Sequence, residues 1–154
     1  MAISGVKRLM RALQPHRLIA LDTMVFIYQL MDHPRYAPLS SAVLEQVESG
    51  ALQAVASTLT VAELLTRAAQ RGDAQALRDY EALLTRFPHL SLAPLDVGVA
   101  CQAARLRGAS NVSLADAIHV ATALEAGAGA IVTNDYAWRA WVDRPKLVLL
   151  GNYA

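Results

Sequence analysis

The chain has 154 residues, one cysteine and a formal net charge of +1, with 55% hydrophobic and 18% charged residues. This length builds one domain with a sizeable core, and the near-neutral charge argues against a protein that coats nucleic acid by bulk electrostatics, while leaving room for a local basic groove. The lone Cys101 rules out a disulfide within the chain and a cysteine metal cage, which suits a reducing cytoplasm, and no apolar run reaches membrane-spanning length.

Residues 1–17, MAISGVKRLMRALQPHR, read as a basic amphipathic extension. Ile3, Val6, Met10 and Leu13 recur at helical spacing, while Lys7, Arg8, Arg11 and Arg17 have no offsetting acid. The segment lacks the uninterrupted apolar stretch of a secretory signal. It either packs on its own domain or offers an arm to RNA or a partner. Residues 18–154 read as a single domain. LIAL (18–21) is a short buried strand, and VFIYQLM continues as a helix ending near Asp32. Pro38 to Ser49 is a helix closed by Gly50. LQAVAS (52–57) is strand-like, and TVAELLTRAAQR (60–71) is helical up to Gly72. Asp73 caps a helix to Phe87, and LSLAPL (90–95) is strand-like. Asp96 caps a helix that Gly108 stops, and Ser113 opens LADAIHVATALEA, which Gly127 stops. AIVT (130–133) is a strand, a short helix follows near Tyr136 to Val142, and KLVLL (146–150) is a last strand. Strands alternating with helices predict a three-layer α/β/α domain around a mostly parallel sheet of about five short strands.

In such a sheet all parallel strands end along one edge, where ligands bind. Asp22 follows the first strand directly, with apolar residues on both sides. An unpartnered carboxylate there is costly, so it is expected at the edge rather than in the core. Glu63 and Asp116 are expected in the first turns of their helices, and Asp135 lies just beyond AIVT. A plainer reading competes for three of them. Thr60–Glu63 and Ser113–Asp116 fit the capping box, and Asp135 fits an N-cap. Asp96 also follows a strand and precedes a helix, so position alone does not separate it from Asp135. If several carboxylates converge, two charges about 5 Å apart repel by roughly 3 kcal/mol at an effective dielectric near 20. A divalent cation would relieve that, and oxygen ligands favour Mg²⁺ or Mn²⁺ over zinc.

DTMVFIY (22–28), TVAEL (60–64), SLADAIHVATAL (113–124) and VTND (132–135) resemble, in order and spacing, the four motifs of PIN domains. The likeness is greatest to VapC-like toxin ribonucleases of toxin–antitoxin pairs, and it runs from about Leu18 to Leu150. It implies that Asp22, Glu63, Asp116 and Asp135 form a metal-binding catalytic site, supported by the polar side chains of Thr23, Thr133 and Asn134. It gives Asp96 no role. It further implies Mg²⁺-dependent cleavage of RNA, with Mn²⁺ as a substitute, a cognate antitoxin and a homodimer. One departure is Met24, where many relatives carry a small polar residue. His119, three residues after Asp116, is a phosphate or water contact or else packing. Arg105 and Arg107 face RNA phosphates or are solvated. Tyr136, Trp138 and Trp141 stack on bases or pack. The alternative function is a catalytically inactive PIN-like module that binds RNA or protein. A phosphotransfer domain fits poorly. Met24 stands where a dehalogenase-like phosphatase needs its second acid, and the early acid pair of a receiver is missing.

Overall fold

The computed structural model describes residues 4–154, so Ile3 of the N-terminal pattern lies outside the described residues. In chain order the elements are α1 (Gly5–Leu13), β1 (Leu18–Leu21), α2 (Thr23–Leu30), α3 (Ala37–Glu48) and β2 (Gln53–Ser57). They continue with α4 (Thr58–Gln70), α5 (Ala74–Arg86), β3 (Leu90–Ala93), α6 (Val97–Ala109), α7 (Leu114–Ala126), β4 (Ala130–Thr133), a 3₁₀ turn (Tyr136–Ala140) and β5 (Lys146–Leu149). The five strands form one sheet in the order β3-β2-β1-β4-β5. Every pairing is parallel, so the expectation of a mostly parallel sheet sharpens to a fully parallel one.

The strands alternate faces with period two. Ile19 and Leu21 join the cluster formed with Leu9 and Leu13 of α1, Phe26 of α2, Val43 of α3 and Leu64 of α4. Ala20, Val55 and Ile131 point the other way, onto Val120 and Ala123 of α7 and onto Trp138. α6 then packs against α7 through Val99, Ala103, Ala117 and Ala121. Two helical layers thus sandwich the sheet. Among the described residues, no helix is long and apolar enough to cross a membrane.

The basic extension docks on its own domain. Leu9 and Leu13 are fully buried. Gly5 lies so close to the Tyr153 carbonyl that a side chain there would collide with it. Arg8 donates to the Asn152 carbonyl and stands over the Tyr153 ring. Helix ends follow local chemistry. α3 and α4 stop where Gly50 and Gly72 take positive φ, and α7 stops at Gly127 with φ 73°. Gly108 behaves otherwise. It is inside α6, which continues to Ala109, and its lack of a side chain does not end the helix.

The topology places a site. The chain moves outward from β1 through β2 to β3, returns, and builds β4 and β5 on the other side. The order therefore reverses between β1 and β4. In an open parallel sheet the crevice at that reversal, outside the strand ends, is the natural binding place.

Candidate active site

Asp22 leaves β1 at the reversal and starts α2. Its backbone N–H donates to the Val132 carbonyl of β4 at 3.0 Å. Its carboxylate accepts twice, from the Thr23 N–H at 2.8 Å and from the Thr133 hydroxyl at 2.7 Å. Asp22 is thus an N-cap after all, and one that is only 7% exposed. Burial pushes its carboxyl above the usual range, although His119 and the two hydrogen bonds pull it back down.

Glu63 reaches the same place from α4. The capping-box expectation fails here. Ser57 caps α4 with its hydroxyl on the Leu59 N–H, and α4 begins at Thr58. Glu63 is therefore in the second turn, not the first. Thr60 is fully buried, and its hydroxyl meets the Thr23 hydroxyl at 3.0 Å. Thr23 in turn donates to Glu63 Oε1 at 3.0 Å. A hydroxyl has one proton, so Thr23 accepts from Thr60 and passes its own proton toward Glu63.

His119 of α7 completes this cluster. Its Nε2 is 2.6 Å from Glu63 Oε1 and 3.9 Å from Asp22 Oδ1, and the residue is 4% exposed. A ring nitrogen that near a carboxylate carries the proton and donates. That hydrogen bond holds the Glu63 carboxyl below its usual range. Burial acts to lower His119, but the bond to Glu63 and the charges of Asp22, Glu63 and Asp116 outweigh it and leave the imidazole raised. The helix spacing from Asp116 hinted at proximity to the site. The partner that fixes His119 is 56 residues away in sequence, so no local signal shows it.

Asp135 arrives as a cap, whereas Asp116 is capped by Ser113 and its carboxylate does not return the bond of a capping box. Asp116 sits in the first turn of α7, its N–H bound by the Ser113 hydroxyl at 3.1 Å. Asp135 caps the 3₁₀ turn through the Ala137 N–H at 3.0 Å. All four acids line one groove of about 520 Å³, together with Thr23, Met24 and His119. Arg67, one turn beyond Glu63 on α4, lies on its wall and was missed from sequence. Asn134 does not line the groove. Its amide ties Tyr28 to the Gly151 N–H, at 3.1 and 2.8 Å. Arg105 and Arg107 do not line it either. Trp138 is 1% exposed, so it packs and offers no face for stacking.

Among the described residues no group of three or more His, Cys, Asp or Glu side chains is placed to hold a metal ion. The donor chemistry is nonetheless that of a hard cation. Carboxylates from three helices and a 3₁₀ turn share one groove, and Asp22 is buried at a cost that a cation would offset. Mg²⁺ needs only one or two carboxylates and keeps several waters, so an open arrangement fits it.

Residues 19–141 match the family model described as PIN domain. No curated protein matches the chain. Its fold is similar to that of VapBC2 from Rickettsia felis bound to a DNA fragment from their promoter. That match has a TM-score of 0.68 and 17% identity, over 86% of this chain and 98% of that one. A toxin–antitoxin complex from Klebsiella pneumoniae matches with a TM-score of 0.61 and 23% identity, over 86% and 97%. FitAcB from Neisseria gonorrhoeae matches with a TM-score of 0.65 and 22% identity, over 86% and 98%.

Proposed function

The chain belongs to the PIN domain family, and on that footing we propose that it is a Mg²⁺-dependent endoribonuclease, the cytoplasmic toxin of a toxin–antitoxin pair. The observation that carries this is the meeting of Asp22, Glu63, Asp116 and Asp135 in one groove at the sheet's reversal point. The likeness of fold to a toxin–antitoxin complex from Klebsiella pneumoniae supports the partner.

Each residue has a role in this reading. Asp22 and Glu63 are the inner metal-holding pair, and Asp116 and Asp135 complete the acidic wall. When bound, the cation supplies an activated water and stabilises charge on the phosphate. Thr133 and the Thr23 N–H fix the Asp22 carboxylate. His119 and the Thr23 hydroxyl fix Glu63. Arg67 draws the RNA phosphate toward the groove. Met24 gives the wall an apolar side that limits water.

The test is a ribonuclease assay on the antitoxin-free chain with Mg²⁺ and with EDTA. Cleavage only with the metal supports the reading. No cleavage under either condition favours the binding module instead. His119→Gln, which keeps an N–H donor, should retain more activity than His119→Ala, whose loss should be about 10- to 100-fold as for other groups that orient ligands. Co-expression with the small protein encoded next to it should give a complex that no longer cleaves RNA. The mean hydropathy of +0.29 and the exposed Leu95, Val97 and Leu114 support a homodimer. Sedimentation as monomer alone at micromolar concentration would remove that part.

A further inference from the structure

Packing on the domain uses only one face of α1. Leu9 and Leu13 are buried, while Lys7, Arg8 and Arg11 are exposed. Lys7 and Arg11 are four residues apart, so they are neighbours on the helix surface, and α1 contains no acid. Among the described residues neither side chain forms an ion pair. An exposed cation is ordinarily just solvated. What distinguishes these is where their face begins.

β5 is parallel to its neighbour β4, so residues 151–153 that follow it lie at the edge where the acids gather. The first turns of α1 meet that segment through Gly5 and Arg8. A chain of contacts then leads to the acidic groove. The Asn152 carbonyl accepts from Arg8 at 3.2 Å, and the Asn152 side-chain oxygen accepts from the Tyr136 hydroxyl at 2.8 Å. A side chain at position 151 would collide with that hydroxyl, so Gly151 permits the approach. Tyr136 directly follows Asp135, which lines the groove.

Arg139 stands over the Tyr136 ring at 5.1 Å, as Arg8 stands over the Tyr153 ring at 5.6 Å. Both arginines are exposed. Two guanidiniums, each backed by a tyrosine, are thus linked through Asn152. A guanidinium held on a ring keeps its N–H groups for a phosphate and its outer face for a base. From Arg8 the cations continue along α1, and Lys7 to Arg11 covers about 6 Å at the helical rise. α1 and residues 151–153 lie outside residues 19–141, which match the family model.

We propose that Arg139, Arg8, Lys7 and Arg11 form a phosphate track for single-stranded RNA, holding the strand beyond the nucleotides at the acids. Positive charge fits any polyanion, and the continuity of the track with the groove at Asp135 selects the RNA. The identity of the ligand rests on the nuclease reading.

The full chain in EDTA, where RNA stays intact and the bare acids do not attract it, is titrated with a labelled oligoribonucleotide long enough to reach α1. Anisotropy is followed at several salt concentrations. Each phosphate contact on a single strand contributes about 0.7 to the slope of log affinity against log salt. Lys7→Gln combined with Arg11→Gln should flatten the slope by about 1.4 and weaken binding about tenfold at low salt. The loss should be alike for all RNA sequences. Arg139→Gln should flatten the slope by about 0.7, and it keeps the test valid if the α1 variant misfolds. Arg78→Gln removes an exposed charge of α5, away from this path, and should change neither quantity. In Mg²⁺ the α1 variant should raise KM for the long RNA by a larger factor than for a dinucleotide confined to the acids. Unchanged slope and affinity in the folded variants overturn the track, and cleavage by the parent then leaves the nuclease reading standing. A flattened slope in variants of a parent that does not cleave in Mg²⁺ supports the track and sinks the nuclease reading. Unchanged RNA binding with loss of the complex with the small protein encoded next to it assigns the face to that partner, which also overturns the proposal.

Discussion

Asp22 and Asp96 begin as the same kind of residue. Each follows a strand of the parallel sheet, each emerges at the same edge, and each caps the next helix with its side chain. The surroundings then diverge. Asp96 follows β3, one of the two edge strands, is exposed, and accepts from the Val99 N–H at 2.9 Å. Asp22 follows β1, the central strand beside the reversal, and is buried among Thr23, Thr133 and His119. A cap needs only the N–H groups of a helix end. A carboxylate held out of water by residues from three other elements, with its charge disfavoured, answers a different need. Strand order, not local sequence, separates the two.

The largest test of that contrast is catalytic. Asp22→Asn should lower RNA cleavage by about a hundredfold or more, since even groups that orient metal ligands cost 10- to 100-fold. Asp96→Asn should cleave within about twofold of the parent, because Asn caps a helix as well as Asp does. If both variants cleave alike, the contrast is broken. Next in size is metal stabilisation. At a hundred times its dissociation constant, Mg²⁺ should add about 2.7 kcal/mol to the parent and to Asp96→Asn. Thermal melts should show little of this gain in Asp22→Asn. A smaller effect appears in EDTA, where Asp22→Asn should melt higher than the parent. The amide still faces Thr23 and Thr133, while the cost of keeping a charge buried is removed. A lower melting point there would mark Asp22 as a plain structural cap. The smallest effect separates two changes at one position. Asp96→Ala should cost about 1 kcal/mol by loss of the cap, and Asp96→Asn only a few tenths.

Much of the fold was legible because its signals are local. The buried strands announce themselves by apolar composition, and the Ser113 and Gly127 ends of α7 and the Asp73 cap of α5 fall as expected. That the four acids belong together was suggested by the resemblance of their motifs to PIN domains, and the fold brings them to one groove. What escaped depends on tertiary contact. Ser57 and Thr60 both look like caps. The buried hydroxyl contact between Thr60 and Thr23 is absent from any sequence window, and it leaves the cap to Ser57. His119 gains its role from Glu63 on another helix, and Arg67 from the shape of the groove. Asn134, expected to support the site, instead braces Tyr28 and Gly151.

The Thr133 hydroxyl that holds Asp22 comes from 111 residues further along the chain. β1 is paired on one side by β2 and on the other by β4. During synthesis Asp22 leaves the ribosome early and waits for the rest. A growing chain that ends before β4 lacks one of the two strands beside β1, the hydroxyl on Asp22 and the whole of Asp135. At roughly 5–20 residues per second, several seconds separate the first acid from the last. The nascent protein therefore passes most of its synthesis without an assembled site, and an interrupted copy never acquires one.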